Sequence, residues 1–150
     1  MQQEIENIPD GCIIFTKWSG ENGIENYIKQ VTGCNPFSGS GININLNKKT
    51  AILKSVDNTS YYADNLDEIN NVEYTLYGRE NDQDINESRF NKNLINENIT
   101  QHIYLYRVIK KNKKTQWVWY GKYNIKNITE KMHPDINGNN RKIYLLNLIK

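Results

Sequence analysis

The sequence predicts an α+β fold that is mostly antiparallel β-sheet with two short helices. Apolar and polar residues alternate over 42–46, which is the period of a half-buried strand. Residues 102–109 and 115–125 are rich in β-branched and aromatic side chains and flank a polar tip at 110–114, a pattern typical of a long hairpin. Because few of the predicted strands are separated by full helices, a doubly wound parallel sheet is not expected.

The first elements are a turn, a short apolar run and a helix. Ile8-Pro9-Asp10-Gly11 is a turn signal that leads into the apolar residues 12–15. Gly33 is placed to end the helix that follows, because glycine accepts the left-handed conformation common after a helix C-terminus. Apolar residues recur at helical spacing at Ile24, Tyr27, Ile28 and Val31.

The middle of the chain predicts one hairpin and one further strand. Residues 34–41 are rich in Gly, Ser, Asn and Pro and predict a loop. The strand over 42–46 turns at 47–49 into a return strand over 51–56. Residues 72–77 predict another strand.

The remaining elements are a second helix, a loop and a last strand. Apolar spacing becomes helical over 90–95, with Asp84 or Asn86 as the expected N-cap. Residues 132–140 contain Pro134 and Gly138 and predict a loop. Residues 143–149 predict the final strand.

Length and composition define the class of protein. The 150 residues suit a single domain spanning 1–150. There are 19 Lys+Arg and 17 Asp+Glu, a net charge of +2, so a nucleic-acid role must rest on a local basic patch. No apolar run approaches the roughly 18 residues of a membrane span. The polar first ten residues do not resemble a signal peptide. We therefore expect a cytoplasmic protein (nuclear if eukaryotic or viral) that is not secreted.

The sequence carries no motif for catalysis or metal binding. His102 and His133 are the only histidines, too few for an HNH nuclease. No lysine has an acidic residue two positions before it, as PD-(D/E)xK nucleases require, and the Walker, GxSxG and HExxH motifs are missing. Cys12 and Cys34 form neither a CxxC pair nor a disulfide framework, and nothing supports Cys34 as a nucleophile. We expect no enzymatic activity, no metal and no cofactor.

Tyrosines and lysines are the candidate binding residues. Tyrosine and tryptophan stack well on bases, and the chain has 10 Tyr and 3 Trp. Most of the hairpin aromatics are expected to be structural, because cross-strand aromatic pairs stabilise hairpins. Tyr61, Tyr62 and Tyr77 lie at or beside predicted loops and are better candidates. With Lys48 and Lys49, the hairpin tip is expected to form two prongs that clamp phosphates. The basic residues at and near the hairpin tip are Arg107, Lys110, Lys111, Lys113 and Lys114.

Four short motifs in the region 33–125 carry a family resemblance. In this order they resemble the motifs of the SRA-like (PUA-superfamily, YDG-type) modified-DNA-binding domains, which are found beside HNH nucleases in modification-dependent restriction enzymes. The glycine-rich loop of that family keeps Gly78, but other residues fill the positions after it. The motifs are Tyr62-Ala63-Asp64, Tyr77-Gly78-Arg79-Glu80-Asn81-Asp82-Gln83, Asn91-Lys92-Asn93-Leu94 and Trp119-Tyr120-Gly121-Lys122-Tyr123.

The resemblance implies a curved SRA/PUA-like β-barrel that grips duplex DNA and flips a modified base into an aromatic pocket. Tyr62 or Tyr77 would stack on the base and Asp82 would accept from an exocyclic amine. Gln83 or Asn91 would complete the contacts to the base edge. The implied pocket comprises Tyr62, Asp64, Tyr77, Gly78, Asp82, Gln83 and Asn91. The expected contacts to the nucleic-acid backbone are Lys48, Lys49, Arg79, Lys92, Lys110, Lys111, Lys113 and Lys114.

The first hypothesis is therefore non-catalytic recognition of modified duplex DNA. The chain would act alone or as the specificity domain beside a nuclease domain or subunit. In a second form of this hypothesis, the chain reads a modified backbone such as phosphorothioate. That form predicts an apolar cup near Pro36, Phe37 and Tyr62. Two alternatives stay open, a PUA/ASCH-like RNA-binding module and a virus- or phage-encoded protein-interaction domain.

Overall fold

The computed structural model describes residues 8–36, 40–86 and 88–150. Within these ranges the chain forms seven strands and two helices. The sequence predicts both helices and six of these strands, and the seventh lies within the apolar run 12–15. In chain order they are β1 (Ile13–Phe15), α1 (Ile24–Thr32), β2 (Ile42–Asn45), β3 (Thr50–Val56), β4 (Asn71–Thr75), α2 (Arg89–Ile95), β5 (His102–Lys111), β6 (Lys114–Pro134) and β7 (Asn140–Ile149).

The strands form one mainly antiparallel sheet in the order β2-β3-β5-β6-β7-β4, with β1 added beside β6. Only the β3–β5 pair is parallel among the strands described. It aligns Thr50 with His102 and Val56 with Val108. The predicted mostly antiparallel architecture is confirmed.

The long strand β6 joins the two halves of the sheet. It has 21 residues, of which the first part pairs with β5 and the second with β7. The register shifts between Leu105 and Tyr106 on β5 and between Ile125 and Asn127 on β6. Because a bulge bends a strand and increases its twist, these two irregularities curve the sheet.

The sheet is curved but not closed, so the predicted barrel is an open one. The hydroxyl of Tyr74 on the terminal strand β4 lies 3.2 Å from the Gly41 carbonyl oxygen and 3.4 Å from the Lys54 carbonyl oxygen. The first and last strands therefore approach each other, but no ladder joins β4 to β2 in the described chain. We call the unpaired junction between β4 and the β2–β3 hairpin the seam.

Apolar side chains form two cores, one on each face of the sheet. The larger core lies inside the curve and includes Leu53, Leu105 and Leu146. The smaller core lies beneath α1, where Tyr106 and Trp119 of the hairpin are buried. Burying side chains of this size stabilises the fold by about 1.5–3 kcal/mol each. Most of the hairpin aromatics are buried, as expected, whereas Tyr104 and Trp117 are only partly buried.

Helix α1 ends at Gly33, as predicted. Gly33 has φ of 72°, and its N–H donates to the Lys29 carbonyl. The N-cap prediction for α2 was wrong, because Ser88 holds that position and its hydroxyl accepts from the Asn91 N–H. Asp84 instead accepts from the Asn86 N–H and forms a turn before the helix.

The predicted loop over 132–140 was too long. Strand β6 continues to Pro134, β7 begins at Asn140, and only 135–139 form the turn. The Asp135 carboxylate accepts from the N–H groups of Asn137 and Asn139 and so supplies the turn with a local acceptor. Proline and glycine mark the end of this hairpin rather than a long loop.

Asp64 holds the seam from the side of the 57–70 segment. Its carboxylate accepts from the Ser55 hydroxyl on β3 (2.6 Å) and from the Thr75 N–H on β4 (2.7 Å). In return, the Thr75 hydroxyl accepts from the Ala63 N–H at 2.8 Å. A single carboxylate therefore connects two strands that share no backbone ladder.

Asp64→Ala is expected to lower the free energy of unfolding by about 1–3 kcal/mol, because the Thr75 N–H is left without an acceptor. Asp64→Asn is expected to lose less, since its amide oxygen can still accept from that N–H. Urea denaturation followed by tryptophan fluorescence measures both. Equal losses for the two variants would contradict the role given to Asp64.

The same carboxylate gives a pH test of the seam. Burial raises the pKa of Asp64 above its usual 3.8. The folded state therefore keeps this proton to a higher pH than the unfolded state does. The stability that Asp64 contributes is fully present below its unfolded pKa and falls as the pH rises through the folded pKa. The stability of the parent chain relative to Asp64→Asn should decrease across that window.

Candidate nucleic-acid interface

A cleft of about 520 Å³ opens where β3 ends. Residues 55–59 and 62–67 form most of its wall, and Glu73, Arg107 and Lys131 complete it. It therefore contains Tyr62 and Asp64 of the predicted pocket. The other predicted pocket residues lie on neighbouring segments, described below.

Two side chains of the central hairpin hold the wall of the cleft in place. Arg107 donates from Nε to Asp57 Oδ1 (2.6 Å) and from Nη2 to Oδ2 (2.7 Å). Such a bidentate pair is among the stronger hydrogen-bonded arrangements in proteins. Arg107 Nη1 also donates to the Tyr120 hydroxyl, which donates to the Leu66 carbonyl at 2.9 Å. Both ends of the cleft wall are thus anchored on the sheet.

Tyr62 connects this wall to a second segment, residues 76–83. Its hydroxyl accepts from the Gly78 N–H at 3.2 Å, and its ring contacts the Tyr61 ring at a centroid distance of 4.7 Å. Gly78 has φ of 141°, a conformation that favours glycine. Burial raises the pKa of Tyr62 to about 12, so the phenol stays neutral at physiological pH.

Asn91 and Gln83 brace the second segment from beneath. Asn91 is fully buried; it donates to the Tyr77 carbonyl (2.9 Å) and accepts from the Tyr77 N–H (2.8 Å). Gln83 donates to the Leu76 carbonyl (2.7 Å) and accepts from the Tyr144 N–H (2.8 Å). Both amides hydrogen-bond with backbone groups and so position the segment.

Tyr77 and Asp82 are less enclosed. The Tyr77 ring packs edge-on against Phe90 at 5.3 Å and is half-buried. Asp82 is exposed, and its carboxylate accepts from the Lys142 N–H at 2.7 Å. Arg79 and Lys92 are also exposed.

Arg141 joins the two segments and is not among the site residues that the sequence predicts. It is buried, with 2% of its surface exposed, and donates to the Gly78 carbonyl (2.7 Å), the Asn81 carbonyl (3.2 Å) and the Tyr61 carbonyl (2.7 Å). Arg141 follows a predicted loop in the sequence and belongs to no motif. Its partners are main-chain carbonyls, which any residue carries, so no sequence signal points to it.

The basic residues fall into two separate groups. Parallel pairing places Lys48 and Lys49 at the His102 end of β5, while the hairpin tip lies at the other end. Strand β5 has 10 residues, so roughly 30 Å separates the groups at about 3.3 Å per residue. The two groups of the expected clamp therefore lie at opposite ends of β5.

The hairpin tip lies at the same end of the sheet as the cleft. The Asp57 N–H donates to the Val108 carbonyl at 2.9 Å, two residues before Lys110. Residues 98–129 contain seven Lys and Arg and no Asp or Glu. This hairpin is therefore a local cationic element beside the cleft.

The apolar cup predicted for a phosphorothioate reader includes Pro36 and Phe37. Pro36 is buried and its carbonyl accepts from the Tyr106 hydroxyl, while Phe37 lies outside the described residues.

Across 8–36, 40–86 and 88–150, no group of three or more His, Cys, Asp or Glu could hold a metal ion. In those ranges no helix is long and apolar enough to cross a membrane.

Solved structures with similar folds include two complexes with methylated DNA. The SUVH5 SRA–methylated CHH DNA complex matches 98% of this chain and 94% of that chain, with a TM-score of 0.56 and 19% identity. KRYPTONITE in complex with mCHG DNA and SAH matches 93% of this chain and 31% of that chain, with a TM-score of 0.58 and 14% identity.

A third similar structure contains phosphorothioated DNA. The sulfur-binding and SRA domains of ScoMcrA match 83% of this chain and 36% of that chain, with a TM-score of 0.56 and 17% identity. The chain has the fold of an SRA domain. This confirms the fold that the sequence motifs implied.

Among the comparisons with known proteins, the match to the SRA fold comes from solved structures. No family model matches the sequence, and comparison with curated proteins gives no match. The chain spans about a third of the ScoMcrA and KRYPTONITE chains but nearly the whole of the SUVH5 SRA chain.

Arg141→Lys is expected to loosen both segments of the SRA fold that border the cleft, because an ammonium group cannot reach all three carbonyls. Losing a hydrogen bond to a charged group costs about 1.5–3 kcal/mol, so amide hydrogen exchange in residues 76–83 should accelerate about tenfold or more. Hydrogen exchange detected by mass spectrometry measures this. Arg89→Lys, on the exposed surface of α2, is the matched control. Unchanged exchange in both segments would contradict the role of Arg141.

Proposed function

We propose that this chain is a non-catalytic domain that recognises modified duplex DNA. The observation that carries the proposal is the cleft lined by Tyr62 and Asp64, which opens beside a cationic hairpin on an SRA fold. The similar structures with methylated or phosphorothioated DNA support the same function.

The cleft offers the chemistry that a flipped base requires. Extruding a base costs a few kcal/mol, which stacking and hydrogen bonds to the base edge must offset. In this proposal Tyr62 supplies the stacking surface, with Tyr77 nearby. The Asp64 carboxyl oxygens lie in the cleft wall, and a carboxyl group has acceptor capacity beyond the bonds that Asp64 makes within the seam. It would accept from an exocyclic amine, with Asp82 as the second candidate.

The remaining predicted pocket residues receive supporting roles in the proposal. Gln83 and Asn91 hold the backbone that carries Tyr77 and Gly78. Gly78 presents its N–H to Tyr62 and has no side chain to obstruct a ligand. The cleft would therefore be preorganised, which reduces the entropic cost of binding.

Contacts to the DNA backbone would come from the cleft end of the sheet. We assign them to Lys110, Lys111, Lys113 and Lys114, with Arg79 and Lys92 as further candidates. Lys48 and Lys49 lie at the far end of β5 and are left out of the proposed interface. Cleavage, if coupled to recognition, would require a nuclease domain or subunit besides the residues described.

Tyr62→Ala is expected to reduce the preference for modified over unmodified duplex by about tenfold to a hundredfold, because stacking on one base is worth about 1–3 kcal/mol. Tyr62→Phe keeps the ring and should keep most of the preference. Fluorescence anisotropy with duplexes carrying cytosine, 5-methylcytosine, 5-hydroxymethylcytosine, N6-methyladenine or phosphorothioate measures the preference.

Two results of that panel would count against the proposal. Equal affinity of the parent chain for every duplex would refute modified-DNA recognition. Tighter binding to single-stranded or structured RNA than to any duplex would favour an RNA-binding module instead.

The double variant Lys113→Gln, Lys114→Gln is expected to weaken binding equally for modified and unmodified duplex. Each lost phosphate contact should reduce the slope of log affinity against log salt by about 0.9. Titrations at several salt concentrations give the slope. Lys48→Gln, Lys49→Gln removes the same charge at the opposite end of β5 and should leave the slope unchanged. A larger effect from this control pair would overturn the assignment.

A further inference from the structure

We infer that the cleft takes a base carrying a hydroxyl-rich, sugar-like substituent in preference to a base carrying only a methyl group. This inference rests on the proposed function and concerns the same site. It follows from the size of the cleft and from the polar groups that the fold leaves unused in its wall.

The cleft is larger than a methylated base needs. Its volume of about 520 Å³ falls within the range of about 300–1,000 Å³ that encloses drug-sized ligands. A methylated pyrimidine is much smaller than such a ligand, whereas a pyrimidine linked to a hexose is of that size. A methyl reader would leave much of the cleft filled with water.

Four polar side chains in the wall have unused hydrogen-bonding groups. Those of Asn58, Asp67, Glu73 and Lys131 line the cleft and form no side-chain hydrogen bond or ion pair within the described residues. Their neighbour Asp57 is instead paired with Arg107. Because these four groups are already at the cleft surface, a ligand can bind them without breaking contacts of the fold.

The mixture of donors and acceptors distinguishes between kinds of ligand. The carboxylates of Asp67 and Glu73 would repel a phosphate, and the ammonium of Lys131 would repel a cation. A hydroxyl group both donates and accepts, so it can pair with carboxylate, amide and ammonium alike. The Tyr62 ring adds an apolar face. A neutral substituent with several hydroxyl groups therefore matches the wall better than an ionic or purely apolar one.

The test compares duplexes of one sequence that differ at a single cytosine: unmodified, 5-methyl, 5-hydroxymethyl and glucosylated 5-hydroxymethyl. The full chain is titrated with each at fixed salt, and anisotropy gives the affinities. We expect the glucosylated duplex to bind at least about tenfold tighter than the methylated one, which corresponds to about 1.4 kcal/mol. Equal or weaker binding of the glucosylated duplex overturns the inference.

The same panel separates the two proposals. If the methylated duplex binds tighter than both the unmodified and the glucosylated duplex, the proposed function stands and this inference fails. If no modified duplex exceeds the unmodified one, recognition of these modified cytosines fails as well.

Isosteric variants test whether the unused groups carry the preference. Asp67→Asn and Glu73→Gln should each weaken binding of the glucosylated duplex by about threefold to tenfold, because each alters one hydrogen bond to the sugar. The methylated duplex has no sugar for these side chains to bind, so its affinity should change by less than about twofold. Glu68→Gln, exposed and outside the cleft, is the matched control. Equal weakening for both duplexes would overturn the inference, and urea denaturation confirms that the variants fold.

Discussion

The seam is the constraint on which the rest of the structure depends. A curved sheet whose first and last strands are not paired must be held together by side chains, and here Asp64 and Tyr74 do so. A carboxylate is suited to this role because it accepts from a hydroxyl on one strand and from a main-chain N–H on the other. The seam also sets the position of the cleft, since Asp64 lies in its wall.

Two arginines extend that constraint to the segments around the cleft. Arg107 fixes the start of the cleft wall through Asp57, and Arg141 joins the wall to residues 76–83 through three carbonyls. Both are buried cations that donate to carboxylate, hydroxyl or carbonyl groups of the fold. The net charge of the chain therefore says little about DNA binding, whereas the acid-free hairpin beside the cleft supports it.

Local sequence patterns predicted which helices and strands form, but they did not predict where β6 ends or which strands pair. The alternation over 42–46 and the aromatic hairpin were confirmed because strand period and hairpin composition are local properties. The extension of β6 to Pro134 was missed, because a proline and a glycine at a hairpin end have the same composition as a loop. Parallel pairing of β3 with β5 was also not predictable, and it separates Lys48 and Lys49 from the hairpin tip.

The sequence by itself determined the fold class, the motif order that implied an SRA fold, and the placement of Tyr62 and Asp64 in one short motif. Only the tertiary structure decided which polar residues face a cleft and which brace the backbone. Asn91 and Gln83 were predicted at the base edge but lie under the second segment, and Arg141 carried no signal at all. The physical reason is that their partners are main-chain groups brought together by strand pairing, and main-chain groups leave no pattern in the sequence.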